Sequence, residues 1–105
     1  MVIIIYMSKR QVILFPAQTI LLKQVGRQIQ LARLKRDITS TRMSLMTGLT
    51  RVTLTKIEKG DPTVSIGAYL KVLARLDLAD SILELAKNDP VGDKLQEAKL
   101  ELKLR

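Results

Sequence analysis

Between Pro16 and Asn88 the apolar residues return at three- and four-residue steps, the period of helices that each bury one face. From Ala17 to about Arg36, Leu21, Val25, Ile29 and Ala32 form one such stripe, with Lys23, Arg27, Lys35 and Arg36 elsewhere on the wheel. Gly26 within it marks a bend, a close helix crossing or simply a tolerated glycine. Met43, Met46, Leu49, Leu54 and Ile57 then fall where two short crossed helices share a face, joined through Gly48-Leu49-Thr50. Thr39 or Ser40 is placed to cap the first and Thr50 the second, each hydroxyl accepting a backbone N–H, and Gly48 supplies the left-handed residue that ends the first. After Gly60 and the Asp61-Pro62 turn, the pattern predicts a helix from about Ile66 to Arg75 with Ile66, Leu70 and Leu73 inward. A last helix follows from about Ala79 to Asn88, with Ile82, Leu83, Leu85 and Ala86 inward. The reading is an all-α domain of five helices.

Outside that block the period changes. Val2–Tyr6 and Gln11–Phe15 are runs of β-branched and aromatic residues that suit short strands, and Pro16 fits a first helical turn. Asn88-Asp89-Pro90 closes the compact block, and Val91–Ala98 suits one more short helix. Lys99–Arg105 alternates polar and apolar strictly, which is strand period; the alternative is a helical tail, since Leu, Lys and Glu are good helix formers. The organisation is thus an N-terminal arm (1–16), a helical domain (17–88) and a C-terminal tail (89–105). The candidate strands have no sheet to join within one chain, and an exposed edge invites pairing. They are therefore expected to pair across a dimer or dock on another protein. Met7 offers a second possible start, which the intact mass of the natively expressed chain distinguishes.

Composition narrows the function. A chain of 105 residues supports one modest core, and 47% hydrophobic with 27% charged residues is ordinary for a folded domain. There is no Cys and no His, which removes disulfides, thiolate metal sites, the commonest metal ligand and the usual proton shuttle. With no nucleophile–base grouping in sight, neither an enzyme, a cofactor nor a metal is expected. The net charge of +8 is uneven: residues 1–60 hold 11 Lys/Arg against 2 Asp/Glu, and residues 61–105 hold 7 against 8. The basic half contains the paired short helices, and the outward positions of the second helix (Thr, Arg, Val, Thr and Lys) include no carboxylate. That combination suits entry into a DNA major groove and attraction to phosphate. The apolar start is far too short to span a bilayer and lacks a secretory pattern, so a cytoplasmic location is expected.

With Arg33, Thr39–Gly60 and Val64-Ser65-Ile66-Gly67 assembled, residues 24–86 resemble the Cro/repressor-type (XRE) helix-turn-helix family, whose domain is a five-helix, lambda-repressor-like fold. Helix, capped helix, glycine turn, second helix and Glu58-Lys59-Gly60 occur at that family's spacing. The wider run, GRQIQLARLKR through IEKGDPTVSIGAYLKVLARLDL, is similar to HipB-type antitoxins. The resemblance implies a homodimer that binds an inverted-repeat operator in double-stranded DNA, represses its own operon, and holds a HipA-type kinase toxin inactive in a prokaryotic cytoplasm, at the nucleoid. It places base reading on Thr50, Arg51, Val52, Thr55 and Lys56. Arg51 suits a guanine O6/N7 edge, and Val52 or the Thr53 methyl suits a thymine methyl. Ser40, Thr41, Arg42 and Lys59, with Thr50, are better placed for phosphates. The family commonly has Gln where this chain has Ser40, which shortens that backbone contact. Arg33 and Glu58 match an internal ion pair behind the reading helix, and Tyr69 reads as packing. Two alternatives stand: a protein-interaction module with vestigial DNA binding, and a stand-alone phage-type repressor. The neighbouring gene separates the antitoxin reading from both.

Overall fold

The structure, a computed structural model, describes residues 12–105. The Val2–Tyr6 strand expectation and Gln11 lie outside those residues, and Val12–Phe15 forms no strand. Five α-helices follow: α1 (Pro16–Lys35), α2 (Ser40–Thr47), α3 (Arg51–Glu58), α4 (Ile66–Arg75) and α5 (Pro90–Leu104), with a 3-10 segment at Ala79–Glu84 between the last two. Among the described residues there is no strand.

Local chemistry sets the boundaries. Pro16 opens α1, and Gln18 Oε1 accepts the Phe15 N–H at 3.0 Å. Thr39, Thr50 and Ser65 cap α2, α3 and α4, accepting the N–H of Arg42, Thr53 and Ala68 respectively. Three helices end in one motif. After α1, α3 and α4 the third residue past the end donates its N–H to a carbonyl five residues back: Ile38 to Arg33, Asp61 to Lys56 and Leu78 to Leu73. The left-handed residue this motif requires is Gly60 in one case but Asp37 and Asp77 in the other two.

The core joins α1 through α4. Ile29, Ala32, Met43, Leu54, Ile57, Tyr69, Val72 and Leu76 are buried, with Leu22, Ile38, Leu49, Val64, Ala68 and Leu73 packed around them. The stripe expected on α1 holds at Ile29 and Ala32, which are buried, and is displaced by one residue in the first half of the helix. Leu21 and Val25 are exposed, and the inward line runs through Leu22, Gly26, Ile29 and Arg33. The cause is a backbone crossing at Gly26: a Cβ there would lie 2.6 Å from Ile57 O, 2.7 Å from Gly60 N and 2.8 Å from Glu58 O. A Cβ on Gly60 would lie 2.5 Å from Leu22 O, so neither backbone has room for a side chain. Of the meanings open for Gly26, close crossing is the one observed.

α4 is displaced in the same way. Ile66 and Leu70 face out, while Tyr69, Val72 and Leu76 are buried and Leu73 is half-buried. Tyr69 turns inward because its hydroxyl donates to Asp61 O at 3.1 Å across the loop, which uses the ring as packing and its tip as a tie.

The two C-terminal expectations need correction. Ala79–Glu84 is a 3-10 segment rather than an α-helix to Asn88, with Leu83, Leu85 and Ala86 exposed and Ile82 half-buried. Ser81 Oγ donates to Leu78 O at 2.6 Å, and Ala86 takes a left-handed φ of 59°, which closes the segment. The strand expected at Lys99–Arg105 is instead the end of α5, which also absorbs the short helix expected at Val91–Ala98. Asp89 caps it by accepting the Gly92 N–H at 3.0 Å, and Pro90 starts it. With no partner strand at hand, intrinsic helix propensity decides the conformation of that alternating sequence. Among the described residues, no helix is long and apolar enough to cross a membrane.

Candidate nucleic-acid interface

The site is built on α3. Leu54 and Ile57 anchor one side of this eight-residue helix in the core, each 2% exposed or less. That anchoring turns Arg51, Val52, Thr55 and Lys56 to solvent; all four are exposed, with Val52 at 66%. The helix carries one carboxylate, Glu58, and it faces inward. Arg33 from α1 donates from Nε to Glu58 Oε2 at 2.7 Å and from Nη2 to Oε1 at 3.0 Å, a bidentate pair with side chains 8% and 10% exposed. Arg33 Nη1 also donates to Ile38 O at 2.7 Å, tying the pair to the α1–α2 turn. The Glu58 hydrogen bonds raise the Arg33 pKa above its ordinary value against the opposing effect of burial, so the guanidinium stays charged.

The consequence is electrostatic as well as mechanical. Among the described residues the ion pairs are Arg33–Glu58 and an exposed Glu84–Lys87 pair. Arg42, Arg51, Lys56 and Lys59 therefore have no salt-bridge partner, and Glu58, the one carboxylate on α3, is paired from behind by Arg33. An unopposed basic helix face attracts phosphate over several ångströms.

The turn before α3 is stitched by hydroxyls. Ser44 Oγ donates to Leu49 O, and Thr47 Oγ1 donates to Met43 O at 2.8 Å while accepting the Leu49 N–H at 3.2 Å. Gly48, at φ 75°, gives the chain its left-handed step. Sequence reading assigned the turn to Gly48-Leu49-Thr50 and overlooked the Ser44 and Thr47 side chains; their signal was a Ser and a Thr three apart, just before the glycine. The turn read at Asp61-Pro62 has a tie the sequence reading overlooked: Asp61 Oδ1 accepts from Thr63 N at 2.8 Å and from Thr63 Oγ1 at 2.6 Å. Those two bonds, the hydroxyl's first, hold the Asp61 carboxyl below the usual carboxylate range.

The candidate readers are not equivalent. Thr50 Oγ1 accepts the Thr53 N–H at 3.1 Å and donates to Thr53 Oγ1 at 3.0 Å, so this hydroxyl is committed to the cap. Thr55 Oγ1 donates to Arg51 O at 3.0 Å and retains only acceptor capacity and its methyl group. Thr53 is half-buried. Arg51 and Lys56 are left as the donors free to meet base edges, with Val52 and the Thr55 methyl as apolar contacts. Ser40, Thr41 and Arg42 sit one helix earlier, at the start of α2, where no acidic residue opposes the N-terminal dipole. Thr41 and Arg42 are exposed and Ser40 is half-buried, and Lys59 is exposed at the far end of α3.

A helix-turn-helix family model matches residues 29–83, from the middle of α1 into the 3-10 segment, which is more than half of the chain. The chain belongs to this helix-turn-helix family of DNA-binding transcription regulators, and its all-helical, lambda-repressor-like architecture accords with that membership. No curated protein matches the chain.

Proposed function

We propose that this protein is a sequence-specific transcriptional repressor that binds an inverted-repeat operator as a homodimer and regulates its own operon. The observation that carries this reading is the exposed, carboxylate-free face of α3, braced from behind by the Arg33–Glu58 pair. Arg51, Val52, Thr55 and Lys56 read base edges, and Thr50 acts mainly by fixing the start of the helix that presents them. Ser40, Thr41, Arg42 and Lys59 hold phosphates on either side. Recognition helices of this kind read the groove with their N-terminal residues, and dimers address half-sites about 34 Å apart. Duplex binding should fall steeply with salt, with a logarithmic slope of about −0.9 for each phosphate neutralised. Affinity that stays flat between low and moderate salt contradicts this reading.

The partner we propose is a HipA-type kinase toxin, which the protein holds inactive as its antitoxin. Two features support a protein partner. One is the resemblance of the run GRQIQLARLKR through IEKGDPTVSIGAYLKVLARLDL to HipB-type antitoxins, and the other is the apolar surface beyond the DNA-facing helix, including Ile13, Phe15, Ile20 and Leu21 on the N-terminal side. In this reading residues 17–88 read DNA, while the arms at 1–16 and 89–105 meet proteins. A kinase gene beside this one, and co-purification of its product with this chain, is the expected result. A neighbouring gene of another kind favours the stand-alone repressor.

A further inference from the structure

α5 is a four-turn helix with no buried residue. Val91, Leu95, Ala98 and Leu102 follow one another at steps of four, three and four, which places them along one side. A lone helix of 15 residues is marginal in water, so an apolar stripe of this kind calls for a partner. The molecule as a whole is also extended, with a radius of gyration of 18.6 Å against about 13 Å for a compact domain of 100 residues.

The same chain carries an open apolar groove of about 570 Å³ between α1, the loop after α3, α4 and the 3-10 segment. Leu22, Val25, Ile29, Val64, Leu73 and Ile82 line it, and Ile66 and Leu85 stand at its rim, each 64% exposed. None of the candidate DNA-contacting residues lines it.

We propose that α5 of one copy lies in this groove of a second copy, and that the exchange is reciprocal; this rests on the homodimer proposed above and names its interface. Three observations favour a second copy as the occupant. No residue of α5 lines the groove of its own chain, although only residues 86–89 separate the helix from the rim residue Leu85. Each chain offers one helix and one groove, so two chains satisfy both and the assembly closes on a twofold axis. The charges also agree: residues 61–105 are nearly neutral, unlike the strongly basic first 60. Asp61 in the groove wall and Asp80 on the 3-10 segment offer carboxylates to Lys94 and Lys99, which flank the α5 stripe.

The area sets the strength. A 15-residue helix is about 22 Å long and about 10 Å wide. Both surfaces of two such contacts reach roughly 900 Å² as smooth strips, below the 1,200–2,000 Å² of a standard stable interface and in the range of weak, reversible ones, so the dimer is expected to be concentration-dependent.

The test is sedimentation velocity on the full chain, with circular dichroism as the folding control. Leu95→Glu with Leu102→Glu alters the helix, and Ile66→Glu with Leu85→Glu alters the groove at exposed positions. Each pair should weaken self-association at least about 30-fold, and mixing the two variants should restore a dimer through the one intact helix–groove contact. A groove variant that stays dimeric overturns the exchange in favour of α5–α5 pairing. Loss of the dimer on deletion of residues 2–6 gives the groove to that segment and overturns it equally. A wild-type chain that is monomeric at high micromolar concentration contradicts the homodimer itself, a different failure from a dimer indifferent to both variant pairs.

Discussion

Arg51 and Glu58 lie on the same helix and do opposite things. Arg51 is exposed and free of any salt bridge, so Arg51→Ala should leave stability nearly unchanged while costing about 1–3 kcal/mol of operator binding and relaxing preference at one base pair per half-site. Lys59→Ala should weaken all duplexes about equally, because a phosphate contact carries no sequence information. Glu58→Ala removes the partner of an arginine that is 7% exposed, and should destabilise the fold by about 3 kcal/mol in urea unfolding. Replacing both members with apolar residues of similar size (Arg33→Met with Glu58→Leu) should cost much less, since the uncompensated buried charge is the expensive species. At this scale the exposed position of Arg51 was legible from the helical period. The commitment of Thr50 and Thr55 was not, because whether a hydroxyl is spent on its own backbone depends on rotamers that a sequence does not display.

Between residues and molecule, the helix ends and crossings decide the geometry. Gly26→Ala adds a Cβ that meets only backbone atoms, which cannot swing aside, and should destabilise by about 3 kcal/mol despite the better helix propensity of Ala. Gly48→Ala meets nothing within 4 Å, so only the left-handed conformation opposes it, at about 1 kcal/mol. Asp37 and Asp77 occupy left-handed positions at negative helix ends, where both conformation and charge are unfavourable. Asp77→Gly should therefore stabilise the fold by about 0.5–1 kcal/mol in the same unfolding assay. The ends near Arg36 and at Arg75 were read in place, but their closing motif was hidden because it lacks the glycine that usually marks it. The first half of each stripe, Leu21 and Val25 on α1 and Ile66 and Leu70 on α4, was read as inward and is exposed, for a related reason. At Gly26 the buried group is backbone, and at Tyr69 it is an amphipathic ring, so a count of aliphatic residues follows neither. The tail was misread as a strand because alternation reports periodicity alone, while an unpaired strand has no ladder to hold it.

For the whole molecule, the absence of His means that no side chain has its ordinary pKa between pH 5 and 8. Thermal stability should be nearly level across that range. Asp61 has a lowered pKa, so its contribution is present above the unfolded carboxylate range and is lost as pH falls through its lower folded value. Tyr69 has a raised pKa, chiefly from burial, so its contribution is complete below about 10 and is lost as pH rises through the folded value. A midpoint that shifts strongly between pH 6 and 8 contradicts this balance. In the proposed reading the division of charge along the chain, strongly basic over residues 1–60 and nearly neutral over 61–105, assigns α3 to nucleic acid and α5 to protein. Selection of bound duplexes from a random pool tests the reading role of α3 most directly. The wild-type chain should enrich an inverted repeat with half-sites about one helical turn apart, and Arg51→Ala should enrich the same repeat with one position per half-site randomised. A pool that emerges unenriched, or an Arg51→Ala chain that selects an unchanged site, would contradict the assignment of α3 as the reading helix.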